Sequence, residues 1–320
     1  MKVLITGGSG FIGINLIDRL LESNIDFLNI DIRLPEKKSH CPYCKLVDIM
    51  DKKMLLQSFL EYKPTHVIHL AARTDTDSDL LQDYKVNTEG TQNVLEAIRN
   101  TPEVKRVIIT STQFVLKPGP LPKHDKDFDP HTTYGQSKVI TEQLTRDANL
   151  NCCWTLIRPT NVWGPWHSRY PKEFWRVLGK GMYFHPGHQP VMRSYAYVGN
   201  VVDQILKIFQ APSEKVNAKV FYLGDSPINL YKWVNGFSNK LIGKKVRIVP
   251  RPIVRSLSYV GDFLALFNLK FPIKSSRYKS MTLDYLTPME ATFEVLGNPP
   301  FSLEDGIEIT VKWLKNEYKG

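Results

Sequence analysis

The feature that most constrains the fold is a glycine-rich turn near the start of the chain. An apolar run at residues 3–5 predicts a buried strand, and residues 6–13 then read TGGSGFIG before apolar positions recur at helical spacing. A second apolar run at residues 27–30 ends in an acidic residue, Asp31. This order of strand, glycine loop, helix, strand and acid is typical of a unit that binds a dinucleotide. It predicts an α/β protein built on a parallel sheet.

Each part of this unit has a physical task in holding a dinucleotide. Gly7 permits the tight turn off the strand, Gly10 leaves room for the pyrophosphate, and Gly13 lets the helix pack closely on the sheet. The helix N-terminus directs free N–H groups and the positive end of its dipole towards the phosphates. The Asp31 carboxylate can accept the adenosine ribose hydroxyls and repels a 2′-phosphate. We therefore expect NAD rather than NADP, a preference that Arg33 would weaken.

Strand-like and helix-like segments alternate through the first half of the chain. Strands are predicted at residues 2–5, 26–30, 45–47, 66–70, 106–110 and 153–157, and helices at residues 11–21, 52–61, 80–99 and 137–148. Later helices are predicted near residues 201–209, 230–241 and 303–318, and strands near residues 220–223 and 246–249. Such alternation predicts a Rossmann-like, doubly wound parallel sheet with a smaller C-terminal substrate-binding lobe.

The regular alternation of strand-like and helix-like segments ends after residue 158, and this change indicates the domain boundaries. We expect residues 1–160, with later insertions from about residues 197–225, to form the NAD-binding domain. Residues 161–196 and 226–320 are expected to form the substrate-binding lobe.

The net charge of +10 favours anionic partners such as a pyrophosphate, but the basic residues are scattered, so no nucleic acid is expected. No apolar stretch reaches the roughly 18 residues that a membrane span needs. The longest, residues 257–269, contains Asp262 and predicts a packed helix rather than a membrane contact. A strand-like run begins at Lys2 in place of a signal peptide, so we expect a cytoplasmic chain.

Four cysteines offer two further hypotheses, and the spacing argues against both. Cys41 and Cys44 form a C-x-x-C pair, but they lie in a polar connection rather than at the helix N-terminus that lowers a thiol pKa. Cys152 and Cys153 are adjacent, so no second pair has zinc-ligand spacing. We interpret all four as structural or incidental and predict no metal site.

A tyrosine–lysine pair is the strongest catalytic signal. Of fourteen tyrosines, only Tyr134 is followed four residues later by a lysine, Lys138. On a helix this spacing places both side chains on one face. A nearby ammonium lowers the tyrosine pKa from its ordinary value of about 10, so Tyr134 can act as a base. Lys138 can also hold the nicotinamide ribose, and Thr112, just past the fifth predicted strand, supplies a hydroxyl at the edge where ligands bind.

Together these motifs resemble those of the extended short-chain dehydrogenases/reductases, specifically the NAD-dependent sugar epimerase/dehydratase family. The resemblance covers nearly the whole chain. The matching stretches are TGGSGFIG at 6–13, DI at 48–49, HLAA at 69–72, NTEGT at 87–91, ST at 111–112, YGQSK at 134–138, RPTNVWGP at 158–165 and RSYAYV at 193–198.

The resemblance also implies roles for individual residues. The residues implied to contact the cofactor, besides the three glycines, Asp31, Tyr134 and Lys138, are Phe11, Ile12, Asp48, Ile49, Leu70, Ala71, Ala72, Asn87 and Pro159. Asp48 and Ile49 would bracket the adenine, and Pro159 would lie near the nicotinamide. The residues implied to bind the substrate, besides Thr112, are Asn161, Phe184, Arg193 and Arg277. Of these, Phe184 would stack near the nucleotide base and the other three would hold the diphosphate.

Two departures from the family pattern narrow the activity. Dehydratases carry Asp-Glu after the catalytic threonine, and decarboxylating relatives keep a glutamate, whereas this chain has Gln113 and Phe114. Neither side chain can transfer a proton, which argues against dehydration and decarboxylation. Gly199 and Asn200 stand where Asp-Asp often follows the later Tyr-Val, which leaves the detailed specificity of the lobe open.

The combined interpretation is a nucleotide-sugar 4-epimerase with tightly held NAD, acting through a transient 4-keto sugar with Tyr134 as the base. The alternative is a nucleotide-sugar 4-ketoreductase or dehydrogenase that uses the same residues. A hydroxysteroid-type dehydrogenase fits less well, because Arg193 and Arg277 suit phosphates. A non-catalytic sensor or RNA-binding relative would commonly lose the tyrosine or the lysine. We also expect a homodimer through helices 80–99 and 137–148, because they carry apolar positions beyond one core stripe, such as Leu80, Leu81 and Val94.

Overall fold

The computed structural model describes residues 1–167, 170, 174–269 and 271–316. The strands are β1 (Lys2–Thr6), β2 (Asp26–Asp31), β3 (Cys44–Leu46), β4 (His66–His69), β5 (Arg106–Thr110), β6 (Cys153–Pro159), β7 (Asn161–Trp163), β8 (Phe184–Pro186), β9 (Met192–Arg193), β10 (Tyr195–Tyr197), β11 (Lys219–Leu223), β12 (Ile228–Asn229) and β13 (Arg247–Val249). The helices are α1 (Phe11–Glu22), α2 (Lys52–Tyr62), α3 (Lys85–Arg99), α4 (Thr133–Asp147), α5 (Arg176–Gly179), α6 (Val198–Gln210), α7 (Ser213–Val216), α8 (Leu230–Ile242), α9 (Arg251–Ala265), α10 (Ser275–Thr282), α11 (Glu290–Leu296) and α12 (Leu303–Asn316).

Seven parallel strands form the main sheet, in the order β11-β6-β5-β4-β1-β2-β3. The chain runs outwards from β1 to β3, returns to β4 on the other side of β1, and then continues outwards to β11. The strand order therefore reverses between β1 and β4, and ligands bind at such a switch point, beyond the carboxyl ends of the strands. The predicted doubly wound parallel sheet is confirmed.

Two apolar layers cover the faces of this sheet. One layer contains Leu16 of α1 and Ile205 of α6. The other contains Phe59 of α2 and Leu95 and Ile98 of α3. Because both faces are covered, the central strands carry apolar side chains on both sides, which explains the continuous apolar runs in the sequence.

Several predicted boundaries need correction. The strand expected at residues 45–47 is Cys44–Leu46. The helix expected from Leu80 begins only at Lys85, because Leu81–Tyr84 forms a separate 3₁₀ turn. The helix expected from residue 137 begins at Thr133, because the Thr132 hydroxyl accepts a hydrogen bond from Gly135 N and caps the first turn. Tyr134 therefore lies inside α4. The last two residues of the expected helix 303–318 lie outside the described residues.

The smaller lobe has an aromatic core and short strand pairs. Trp163, Trp175, Trp233 and Phe237 pack together, and the ring centroids of Trp175 and Phe237 lie 4.1 Å apart. Strands β7 and β10, β8 and β13, and β9 and β12 each form a two-stranded sheet. Among the described residues, no helix is long and apolar enough to cross a membrane.

The stretch 257–269 is not packed as expected. It forms the second half of α9 and the turn after it, and Tyr259, Phe263, Leu266 and Phe267 are all exposed. The prediction of a packed helix is therefore wrong for most of its apolar side chains.

The predicted dimer helices do pack on each other within the chain, as α3 and α4. Leu80 and Leu81 are exposed, but Val94 is fully buried in the apolar layer that contains α2. Val94 therefore cannot belong to a surface beyond the core, and that part of the expectation is wrong. The homodimer itself stays a prediction.

The four cysteines are all free thiols. Cys41 lies in a 3₁₀ turn, Lys38–Tyr43, that leads into β3, and Cys44 begins that strand. Burial raises the pKa of the Cys44 thiol, which disfavours its reactive thiolate form.

Candidate active site

The glycine turn between β1 and α1 has the geometry that the sequence predicts. Gly7 has φ +77°, and a Cβ there would lie 2.5 Å from Ala71 N. A Cβ on Gly13 would lie 2.5 Å from the Gly8 Cα, so Gly13 permits the close approach of helix to turn. A Cβ on Gly10 would meet only the Gly7 carbonyl oxygen, at 3.2 Å. Gly10 thus faces open space, as a position beside a pyrophosphate would.

The N-terminus of α1 carries no side-chain cap at Gly10. Its first-turn residues include Phe11, Ile12 and Gly13, whose N–H groups have no acceptor within the helix because of their position. Uncapped N–H groups beside open space fit an anion such as a pyrophosphate. This observation supports a dinucleotide at the switch point of the sheet.

Asp31 ends β2 beside the same turn. Its Oδ2 accepts a hydrogen bond from Ser9 N at 2.9 Å, and its Oδ1 accepts one from Arg33 N at 3.3 Å. Asn29, one position deeper in the strand, accepts from Gly8 N at 2.9 Å and is fully buried. Asn29 and Ser9 therefore fix the turn to β2. Sequence reasoning missed both, although an asparagine inside an apolar strand was a usable signal.

Asp48 and Ile49 follow β3 at the same edge of the sheet. Asp48 is exposed, and its Oδ1 accepts from Met50 N at 2.9 Å. Ile49 is buried in the apolar layer against α3, and its carbonyl oxygen accepts from Asn93 Nδ2 at 3.0 Å. A Cβ on Gly90 would lie 2.7 Å from the Ile49 Cδ1, so the side chain of Ile49 packs inwards.

The segment after β4 forms a wall of the site. Leu70, Ala71 and Ala72 are half-buried. Asn87 accepts from Arg73 N at 2.8 Å and donates to Arg73 O at 2.9 Å, as well as to the Ser137 hydroxyl at 2.9 Å. Asn87 is fully buried, so in the described structure it ties this wall to α4.

His69 is a buried residue that sequence reasoning did not single out. Its Nδ1 lies 2.7 Å from the Thr6 hydroxyl, and its Nε2 lies 3.1 Å from the Thr91 hydroxyl. The Thr91 hydroxyl donates to Asn87 O, so Nε2 carries the proton and Nδ1 accepts from Thr6. Burial, and then the charge of Lys138, lower the pKa of His69 to about 3. His69 is therefore a neutral link between β1, β4 and α3.

Thr112, Tyr134 and Lys138 all lie at the carboxyl end of β5 or on the helix beside it. All three are buried. Thr112 Oγ1 accepts from Phe114 N at 3.3 Å, which leaves the hydroxyl proton for another acceptor. The ring of Tyr134 lies 6.1 Å from that of Phe114 and 6.3 Å from that of Tyr84. Lys138 sits one turn further along α4.

The pKa of Lys138 is strongly shifted. Burial lowers its pKa to about 8, against the opposing attraction of the Glu142 carboxylate. The lysine therefore stays protonated around neutral pH, but its charge is easily lost on the alkaline side. A buried ammonium close to a tyrosine stabilises the phenolate form of that tyrosine.

A buried ion pair fixes α4 to the sheet. Glu142 and Arg158 are both fully buried, and Glu142 Oε1 accepts from Arg158 Nε at 2.8 Å. Glu142 Oε2 accepts from Arg158 Nη2 at 2.8 Å, and Oε1 also accepts from the Ser111 hydroxyl at 2.6 Å. Arg158 Nη1 donates to the Tyr222 hydroxyl at 2.9 Å. This network positions Ser111 next to Thr112, and the residue after Arg158 is the buried Pro159 at the end of β6.

The candidate substrate residues gather around Tyr195 of β10. Tyr195 pairs in register with Asn161 of β7, and the side chains of Asn161 and Arg193 hydrogen-bond to it. Burial raises the pKa of Tyr195, and the charges of Arg193 and Arg277 oppose that shift. The structure thus brings Asn161, Arg193 and Arg277 together. Sequence reasoning gave Tyr195 no role although it lies in the matching stretch 193–198, because a tyrosine on a three-residue strand gives no periodic signal.

Arg193 is buried without full satisfaction of its guanidinium group. Its Nη2 donates to Ser280 O of α10, but its Nε has no hydrogen-bond partner. Arg277 is exposed on the same α10 helix. Burial raises the pKa of Tyr183, and the charges of Arg277 and Arg193 oppose that shift, so Tyr183 lies near both arginines. The next residue is the half-buried Phe184 of β8. A buried N–H donor without a partner beside a second arginine is a fitting place for an anionic group.

The parallel sheet, the open glycine turn and the buried tyrosine–lysine pair define a dinucleotide-dependent enzyme of the dehydrogenase type. The chain belongs to the NAD dependent epimerase/dehydratase family, whose model matches residues 3–224. It is therefore an NAD-dependent enzyme of this family, and the expected cofactor and family are confirmed.

Individual relatives include both epimerases and dehydrogenases. The chain is 30% identical to N-acetyl-alpha-D-glucosaminyl-diphospho-ditrans,octacis-undecaprenol 4-epimerase of Escherichia coli O157:H7, with 98% of this chain and 95% of that protein covered. It is 26% identical to a decarboxylating sterol-4-alpha-carboxylate 3-dehydrogenase of Candida albicans, with 99% and 98% covered.

A solved structure of similar fold is UDP-glucuronic acid 4-epimerase from Bacillus cereus, in complex with UDP-glucuronic acid and NAD. Its TM-score is 0.76 and its sequence identity 19%, with 99% of this chain and all of that chain covered. At that identity the likeness shows the fold alone.

Proposed function

We propose that this chain is an NAD-dependent 4-epimerase that acts on a nucleotide-diphosphate sugar. The observation that carries the proposal is the buried Arg193, whose Nε lacks a partner, beside Asn161, Tyr195 and Arg277. A diphosphate would supply the acceptors and the negative charge that this cluster lacks. The base that would act on the sugar is Tyr134.

The described residues have separate tasks in this reaction. Tyr134, with its phenolate stabilised by the Lys138 ammonium, removes the proton from the sugar 4-hydroxyl. Thr112 donates its free hydroxyl proton to the same oxygen. Bound NAD supplies the acceptor, and then the donor, of a hydride. After the sugar has turned about its phosphate linkage, the opposite face of carbon 4 meets the hydride donor and carbon 4 is inverted. Tyr134 returns its proton to the oxygen at carbon 4. Positioned acid–base help of this kind contributes ~10²–10⁴-fold.

The name of one relative supports a sugar diphosphate, and a solved structure of the same fold holds a UDP-sugar. The Escherichia coli relative is by its name a 4-epimerase of a sugar linked through a diphosphate. The Bacillus cereus structure is by its title a 4-epimerase with a UDP-sugar. Both substrates share a sugar bonded to a diphosphate, and the arginine cluster suits that shared part.

The alternative is a nucleotide-sugar 4-ketoreductase or dehydrogenase, which the sterol dehydrogenase among the relatives keeps open. The two arginines weigh against a sterol, because a sterol offers no phosphate to them. Gln113 and Phe114 weigh against dehydration and decarboxylation. Gln113 is an amide with no titratable proton, and Phe114 is an apolar ring beside Tyr134.

Whether turnover needs added reduced cofactor distinguishes a 4-epimerase from a 4-ketoreductase. The purified protein is denatured, and the released dinucleotide is identified by mass. The protein is also incubated with UDP-linked hexoses without added cofactor, and the products are followed by proton NMR. We expect NAD to be released and the 4-epimer to form. A strict need for added reduced cofactor would favour the ketoreductase. A growing methyl doublet would reveal dehydration and contradict the assignment of this site.

A further inference from the structure

Helix α9 exposes its large apolar side chains and buries its small side, which is the reverse of the usual arrangement of a surface helix. Its buried residues are Val254, Ser258 and Gly261, which are small. Its large apolar residues recur at intervals of three, four and seven and face away from the protein. We call this set the outer apolar face; it comprises Ile253, Tyr259, Val260, Phe263, Leu266 and Phe267, the last two in the turn that follows the helix.

Packing fixes this orientation. A Cβ on Gly261 would overlap the carbonyl oxygen of Ile273, so the returning chain lies directly against the small side of α9. Asp262 Oδ1 accepts from Ser275 N at 3.1 Å and secures the same contact. No side chain fits at Gly261 unless Ile273 is displaced. The outer apolar face therefore cannot turn inwards without breaking the contact between α9 and α10.

The exposure of this face is large. Phe263 is 60% exposed, Leu266 78% and Phe267 63%. Monomeric proteins rarely expose a contiguous apolar patch of this kind unless it meets a partner or a membrane. The aromatic side chains on it suit the boundary between headgroups and acyl chains.

The segment that carries the outer apolar face is mostly positive in charge. Residues 244–282 contain nine Lys or Arg residues and a single acidic one, Asp262. Arg255 is exposed on α9, donates to the Tyr259 hydroxyl at 2.9 Å and lies 5.8 Å from the Tyr259 ring centroid. Lys274 and Lys279 are exposed at or next to α10. A second copy of this face would bring like charges together, whereas an anionic bilayer offers both opposite charge and an apolar interior.

We propose that the outer apolar face docks on an anionic lipid bilayer, with Phe263, Leu266 and Phe267 in the acyl boundary and Arg255 and Lys274 at the headgroups. The helix lies in the membrane surface and does not span it. This proposal does not depend on the proposed reaction.

Vesicle binding of the full chain tests the proposal. Sedimentation with vesicles of neutral phosphatidylcholine is compared with sedimentation in which about a third of the lipid is phosphatidylglycerol. We expect binding to the anionic vesicles that weakens as salt is raised, because surface charges are then screened. The triple variant Phe263→Ser, Leu266→Ser, Phe267→Ser should lower the partition coefficient by about tenfold or more.

A matched control removes exposed apolar side chains elsewhere. Met54→Ser, Leu60→Ser, Ile309→Ser changes three exposed residues of α2 and α12 and should bind as the parent does. The charge variant Arg255→Gln, Lys274→Gln should weaken binding to anionic vesicles by about fivefold per charge. The triple variant should keep its unfolding midpoint, because it alters only exposed side chains.

Two results would overturn the proposal. The first is equal binding of the parent and the triple variant, or no binding of either, to anionic vesicles. The second is a self-association of the parent in sedimentation velocity, without lipid, that the triple variant loses. That second result would assign the outer apolar face to an interface between copies of this chain.

Discussion

Two buried arginines show how differently the sheet domain and the smaller lobe are built. In the sheet domain, Arg158 forms a bidentate salt bridge with Glu142 and also donates a hydrogen bond to the Tyr222 hydroxyl. In the lobe, Arg193 makes no ion pair among the described residues, and its Nε has no partner. Burying a charge without a counter-charge is costly, so such a group persists where a ligand completes it. We therefore assign the first arginine to the fold and propose that the second receives an anion.

The largest expected effect is the loss of turnover when the proposed base, Tyr134, is replaced. Tyr134→Phe should lower turnover by about 10³-fold, because no other described group replaces its phenolate. The glycine turn and Asp31 are unchanged, so NAD should remain bound, as measured by the dinucleotide released on denaturation. Tyr84→Phe, beside it in the structure, is the control and should keep turnover within a few-fold. Comparable turnover of the two variants would remove Tyr134 from its role.

Removal of the Glu142 carboxylate, the counter-charge of Arg158, should mainly affect the stability of the fold. Glu142→Gln leaves Arg158 buried without a carboxylate, and we expect a loss of about 3 kcal/mol in the free energy of unfolding. Urea titration with far-UV circular dichroism measures it. Glu308→Gln, which removes the exposed ion pair with Lys240, should leave the midpoint essentially unchanged. An unchanged midpoint for Glu142→Gln would mean that this pair does not anchor α4.

The same kind of change at the ligand arginine should affect binding instead. Arg193→Gln should raise the KM for a UDP-sugar by about 10- to 100-fold, the effect of losing a charge-assisted hydrogen bond. The unfolding midpoint and the bound NAD should stay close to those of the parent. Lys279→Gln, an exposed change on α10, serves as the control for general charge effects. A fall in stability without a change in KM would make Arg193 a structural residue like Arg158.

Cofactor preference should respond to Asp31. Asp31→Ser removes the carboxylate that repels a 2′-phosphate, so affinity for NADP should rise by about tenfold relative to NAD. Isothermal titration of the cofactor-free protein measures both affinities. Asp26→Ser, at the opposite end of β2, should leave the ratio unchanged. Equal affinity of the parent for the two cofactors would show that Arg33 outweighs the carboxylate.

The pH profile should show the smallest effect. The ordinary lysine pKa is about 10.4, and burial lowers that of Lys138 to about 8. The ammonium is therefore present below pH 8 and lost above it, together with its support of the Tyr134 phenolate. We expect kcat/KM to fall above pH 8. A flat profile up to pH 10 would contradict the assignment of Lys138.

Much of the cofactor half was predictable from sequence, for physical reasons. The turn at Gly7 needs positive φ, which few residues but glycine adopt readily, and the pairing of Tyr134 with Lys138 follows from helical spacing alone. The hydrogen bonds of His69 were not predictable, because they depend on which strand lies next to β1. The partnership of Glu142 with Arg158 likewise joins residues of different elements.

The lobe was harder to predict. Its strands have two or three residues, too few for alternation to show, so periodicity did not single out Tyr195 within the matching stretch 193–198. Helix α9 failed in another way. An amphipathic pattern shows where the apolar side of a helix lies, and the usual inference is that this side faces the core. At α9 the small side around Gly261 instead faces Ile273 and α10, because only a residue without a Cβ fits against the Ile273 carbonyl oxygen.

Helix α10 connects two places described separately above. It packs against α9, it carries Arg277, and its Ser280 carbonyl accepts from Arg193. An anion bound by Arg193 and Arg277 and a bilayer on the outer apolar face would therefore both act on α10. Linkage makes such an influence reciprocal: whatever factor docking contributes to the affinity for the anion, the anion contributes the same factor to the affinity for the bilayer.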